Sequence, residues 1–127
     1  LDEIDWCQVD VITCAAPNLR EKPSNLMNPD SGNKSVRITD KNLKELHEKR
    51  MRRILDIAKK EKEDVVILGA FGCGAFSNSP YVVSEAMATV IKEYLYDFKV
   101  IEFAVFCTSR DMENYEVFSR RLKMGRL

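Results

Sequence analysis

The sequence has little of what most metal and catalytic sites are built from. It holds one histidine and four cysteines in 127 residues. Cys7, Cys14, Cys73 and Cys107 form no C-x-x-C pair, so with His47 alone no zinc signature can be written, and no metal or cofactor is expected. Neither charge is in excess: Lys plus Arg and Asp plus Glu both number 20. That argues against DNA as a partner, because a dedicated nucleic-acid binder shows a basic surplus. No apolar run nears the ~20 residues that span a bilayer, and none has the form of a signal peptide, so no membrane partner is expected either. Repeats and low-complexity segments are absent. The chain reads as a cytoplasmic protein with free, buried cysteines in a reducing compartment. Its length allows one domain with a modest core, and its 45% hydrophobic and 31% charged content is that of a soluble globular protein.

Glycine is also scarce, with five in all, yet three of them fall at Gly69, Gly72 and Gly74. They follow an unbroken apolar run, Val65-Val66-Ile67-Leu68, and precede Ser77-Asn78-Ser79-Pro80, which reads as the start of a helix with Ser79 as N-cap and Pro80 in the first turn. Buried strand, glycine turn, helix N-terminus is an arrangement that holds anions: the backbone can approach a ligand closely, and unpaired N–H groups point at it. The spacing G-x-x-G-x-G is neither a Walker motif, which needs a Lys after the glycines, nor the dinucleotide fingerprint. On the residues alone, the turn is either a phosphate cradle or a tight connection whose glycines serve packing. Phe71 and Phe76 flank it, against a ribose or base or as plugs of the local core. Cys73 sits between two glycines near a helix N-terminus, where a thiol pKa is lowered, which raises covalent catalysis as an alternative. Its base is not visible, since His47 falls in a charged helix and reads as a surface or boundary residue.

Along the chain, β-branched residues make Val9–Ala15 a predicted strand, stopped by Pro17 with Asn18 in the turn. Residues 19–37 form a long polar loop, either a flexible surface insertion or a flap over a ligand. Leu43, Leu46, Met51, Ile54, Leu55 and Ala58 predict a helix from about Lys41 to Lys60, capped by Thr39 or Asp40. Val83, Ala86, Met87, Val90, Ile91, Tyr94 and Leu95 mark one buried face of the helix after the glycine turn. Val100–Cys107 reads as a strand buried on both faces, and a last helix starts at Asp111 with Tyr115, Phe118 and Leu122 inward. This alternation predicts an α/β fold with a mostly parallel sheet and helices on its faces. Ligands in such sheets sit beyond the carboxyl ends of the strands, here Ala15–Asn18, Gly69–Phe76 and Cys107–Asn114.

Three blocks, V-I-T-C-A-A-P-N (Val11–Asn18), L-G-A-F-G-C-G-A-F-S-N-S-P (Leu68–Pro80) and F-A-V-F-C-T-S-R-D-M-E-N-Y-E-V-F (Phe103–Phe118), resemble the microbial-type poly(ADP-ribose) glycohydrolases of the macrodomain superfamily. The resemblance implies a macrodomain-like α/β/α sandwich that binds ADP-ribose or poly(ADP-ribose). It implies that Gly72, Cys73, Gly74, Ala75 and Phe76 wrap the diphosphate and distal ribose, with Phe76 the aromatic near that ribose. Cys107 and Asn114 fall toward the adenosine side as weaker candidates, many family members carrying an acidic residue near the position of Cys107. Gly69, Phe71 and Asn18 complete the weaker set.

One departure bears on activity. The family's catalytic loop is a triple glycine followed by Gln-Glu-Glu, and this sequence contains neither. The expectation is a single partial domain, the C-terminal half of a macrodomain, that binds ADP-ribose, has no catalytic residue of its own and self-associates through uncovered strand edges. A non-enzymatic ADP-ribose or nucleotide reader is the alternative.

Overall fold

The computed structural model describes residues 2–27, 29–30 and 32–123. Asn28 and Ser31 of the polar loop lie outside the described residues. Among the described residues, three helices and two strands follow a 3₁₀ turn at Glu3–Asp5: α1 (Asp40–Lys60), β1 (Val65–Leu68), α2 (Pro80–Ile91), which runs on into a second 3₁₀ turn at Lys92–Tyr94, β2 (Val100–Phe103) and α3 (Glu113–Leu122).

Local chemistry sets the helix ends. The Thr39 hydroxyl accepts the Asn42 N–H at 3.2 Å, Asp40 occupies the first turn of α1 and Lys59 and Lys60 the last, each matched to the helix dipole. Leu43, His47, Met51, Leu55 and Ala58 recur at three- and four-residue steps and are buried. Pro80 opens α2 behind Ser79 as expected, although the Ser79 side chain makes no capping bond. Helix α2 is the hub. It packs on α1 and on α3, and Val83, Ala86, Met87 and Val90 are essentially fully buried. The Tyr94 hydroxyl, just past α2, donates to Asp56 on α1 at 2.7 Å.

Strands β1 and β2 pair in parallel, Val65 with Val100 through Leu68 with Phe103, as a strand–helix–strand crossover requires. Val66 and Leu68 join the core with Met51, Leu55, Met87 and Phe118. Their neighbours Val65 and Ile67 are exposed, so among the described residues helices cover only one face of the sheet, not both. None of the described helices is long and apolar enough to cross a membrane.

Several sequence expectations give way. Val9–Ala15 forms no strand: a crevice of about 880 Å³ separates Gln8–Ile12 and Cys14 from β1. β-Branched residues favour the pleated conformation, but a strand exists only with a hydrogen-bonded neighbour. The strand expected over Val100–Cys107 ends at Phe103. Its last rung is the Ala104 N–H on the Leu68 carbonyl at 2.8 Å, and β1 turns away at Gly69, so nothing remains for Val105–Cys107 to pair with. Helix α3 starts two residues late because Thr108 and Asp111 close a tight turn, exchanging N–H···O bonds of 3.0 and 3.1 Å. Val117 and Phe118 face inward on α3, whereas Tyr115 is exposed. Cys7 is exposed and Cys14, Cys73 and Cys107 are half-buried, all four as free thiols.

Candidate functional site

The glycine turn leaves β1 at its carboxyl end and delivers the chain to α2. Its own hydrogen bonds close it. The Phe71 N–H donates to the Gly69 carbonyl, Cys73 to Ala70, Ser77 to Gly74 and Asn78 to Gly72, at 2.9 to 3.0 Å. Gly72 sits at φ +79° and Ser77 at φ +55°. At Gly72 the glycine is obligatory twice over, because an added Cβ would also lie 2.7 Å from the Ala16 Cβ. Gly74 has open space around it.

This folding leaves three consecutive donors over. Among the described residues, the N–H groups of Gly74, Ala75 and Phe76 have no acceptor, and Gly74 and Ala75 are exposed. They lie at the N-terminal side of α2, whose first turn carries no acidic residue. Successive unpaired amides beside the positive end of a helix dipole form a site for an anion such as a phosphate.

The turn is held from behind by residues that sequence reasoning passed over. Asn78 is 2% exposed. Its Nδ2 reaches the carbonyls of Pro17 (2.7 Å), Gly72 (3.0 Å) and Phe76 (3.1 Å), and its Oδ1 lies 2.8 Å from Nε2 of His47. His47 is therefore not the surface or boundary residue that its charged neighbours predict: it is 2% exposed and edge-on to Phe71 at 5.6 Å. Burial, with Arg50 adding like charge, pushes its pKa below the ordinary value. Arg20 lies 5.4 Å over the Phe76 ring, a cation–π contact, and donates to Asn18 Oδ1 at 3.1 Å and to the Pro23 carbonyl at 2.9 Å. The Leu19 N–H bonds the Phe76 carbonyl at 2.9 Å. The start of the polar loop thus packs on the turn. The one cue in the sequence was an Asn two residues ahead of a helix-starting Pro, and that cue does not reveal its partners.

The other candidates scatter around this centre. Asn114 sends Nδ2 to the Cys73 carbonyl at 3.5 Å, at the margin of a hydrogen bond. Asn18 turns into its own loop, with Nδ2 on the Pro23 carbonyl. Phe71 packs against the core, and Gly69 lies where a Cβ would sit 3.7 Å from the Ala104 carbonyl. Cys107 lies four residues past the end of β2, half-buried. The Cys73 thiol faces the Phe71 carbonyl at 3.8 Å, and burial pushes its pKa up to about 12. This corrects the lowered pKa expected from a helix N-terminus: desolvation dominates, and no activated thiolate forms at neutral pH.

No family model matches the chain, and no curated protein does either. Solved structures do. Poly(ADP-ribose) glycohydrolase from Thermomonospora curvata superposes with a TM-score of 0.63 at 27% identity, over 67% of this chain and 32% of that one. The enzyme from Deinococcus radiodurans, solved in complex with ADP-ribose, does so with a TM-score of 0.56 at 28% identity, over 66% and 33%. The chain is thus similar in fold and sequence to a portion of these macrodomain-like proteins and spans about a third of their length.

Proposed function

We propose that this chain is an ADP-ribose-binding portion of a poly(ADP-ribose) glycohydrolase-like protein, with the turn Gly72–Phe76 holding the diphosphate and distal ribose. The observation that carries this reading is the set of three adjacent free amides on Gly74, Ala75 and Phe76 at the start of α2. Support comes from the likeness to a structure solved with ADP-ribose bound. Phe76 would lie against the distal ribose and Asn114 toward the adenosine, and poly(ADP-ribose) would be read through the same unit.

The chemistry of the turn favours binding over hydrolysis by these residues. The His47 Nε2 is committed to Asn78, the Cys73 thiol stays protonated, and the sequence holds no triple-glycine and Gln-Glu-Glu stretch. Cleavage of a ribose–ribose bond needs a positioned acid/base, and none of these groups supplies one. The 127 residues therefore bind without turning over.

Calorimetric titration of the chain with ADP-ribose, inorganic phosphate and ATP tests this. ADP-ribose binding that neither competitor matches supports the reading; equal or absent binding of all three refutes it. Release of ADP-ribose from poly(ADP-ribose) by the purified chain would refute the non-catalytic part.

A further inference from the structure

We infer that Asn78, backed by His47, is a positioning residue for the glycine turn: the pair sets the curvature that leaves the amides of Gly74–Phe76 pointing at a ligand. The turn's role as an ADP-ribose site rests on the reading above, but the geometry of the pair stands on its own contacts.

The orientation of Asn78 follows by elimination. Three carbonyl oxygens, from Pro17, Gly72 and Phe76, lie 2.7 to 3.1 Å from one end of its amide. Carbonyls only accept, so that end is the NH₂ group. Two protons shared among three oxygens hold two points of the turn and the Ala16–Pro17 corner together. The other end is then the oxygen, and it faces Nε2 of His47 at 2.8 Å. An amide oxygen only accepts, so Nε2 must carry the proton. A proton on Nε2 of a histidine on α1 is thereby required by backbone carbonyls on two loops.

The opposite ring nitrogen confirms the cost of any other state. Nδ1 is buried and has no hydrogen-bond partner among the described residues. A neutral ring protonated at Nε2 leaves only a lone pair there. A cationic ring would bury an unpaired N–H beside Arg50. Moving the proton to Nδ1 would also set the bare Nε2 against Oδ1, two acceptors in contact. Asn78 is thus braced against a rigid helix through one tautomer, and the turn inherits the position of α1.

Nitrogen-15 spectra of the unaltered chain test the tautomer without any variant. Neutral, Nε2-protonated His47 at pH 7 is the expected result; an Nδ1-protonated or cationic ring overturns the inference. Amide exchange tests the positioning. His47→Leu and Asn78→Ala should speed exchange at Leu19, Cys73 and Ser77 by tenfold or more while α1 and α2 keep their protection. His47→Gln, which retains a donor near the Nε2 position, should restore most of it. Unchanged exchange in His47→Leu, or no rescue by His47→Gln, overturns the inference. ADP-ribose affinity should fall tenfold or more in Asn78→Ala and His47→Leu and recover in His47→Gln. Failure of the unaltered chain to bind ADP-ribose would overturn the functional reading alone, because tautomer and exchange decide the positioning role without ligand.

Discussion

A Cβ on Gly72 would lie 2.8 Å from the Nδ2 of Asn78, so the amide that holds the turn fills the space a side chain would need on the glycine that bends it. Gly72→Ala should therefore destabilise the fold. The φ of +79° alone costs an L-residue roughly 1–3 kcal/mol, and the displaced Asn78 leaves buried carbonyls unpaired as well. Urea unfolding of the variant reads this directly as a lower midpoint with an unchanged slope.

Gly74 separates structure from function. Nothing lies within 4 Å of a Cβ there, so Gly74→Val should unfold at the same denaturant concentration as the parent. Its side chain would nevertheless stand over the free amides. Calorimetry should show ADP-ribose binding weakened by at least tenfold, about 1.4 kcal/mol. Full affinity in a folded Gly74→Val variant would remove the turn from the binding site.

His47 makes stability depend on pH in a defined sense. Its folded pKa lies below the ordinary 6.5. The contribution is fully present above pH 6.5, where both states are neutral. It is lost as pH falls through the folded value, because only the unfolded chain takes up the proton. Each unit of depression is worth about 1.4 kcal/mol. Unfolding curves between pH 7.5 and 5 should be steeper in pH for the parent than for His47→Gln, and parallel curves would contradict the assignment.

The cysteines should react in inverse order to their burial. Exposed Cys7 should be alkylated readily at pH 8, whereas Cys73, its thiol pKa pushed up to about 12, should resist until the protein unfolds. Peptide mapping after iodoacetamide gives the order. Cys73→Ser should leave ADP-ribose affinity unchanged, since the sulfur faces the Phe71 carbonyl and the free amides belong to Gly74, Ala75 and Phe76.

Val9, Val11, Val65 and Ile67 expose apolar surface on the two sides of the crevice beside β1. A two-stranded sheet with a free edge and an apolar face pairs readily with a second copy. We expect light scattering at ~100 μM to report dimers or larger species, and Ile67→Lys to shift them toward monomer. A parent chain that is monomeric at that concentration would refute self-association.

Much of this protein was legible without coordinates wherever the signal was local. Helix α1 came within a residue of its predicted start because Thr39 caps it and an apolar residue returns every three or four positions. The glycine turn, its Pro80 exit and the parallel pairing of Val65–Leu68 with the next apolar run followed from spacing and the order of elements. Tertiary structure decided what those patterns touch. Val9–Ala15 has a strand's residues but no ladder, because pairing depends on a neighbour and not on propensity. His47 reads as surface from its charged flanks and is buried, because a helix face is chosen by what packs on it. Asn78 meets Pro17 across 61 positions of sequence and His47 across 31. Periodicity reports only which side of an element is apolar. Which polar groups share a buried hydrogen bond depends on loops that fold back over long separations, and at this site those bonds set the direction in which the free amides point.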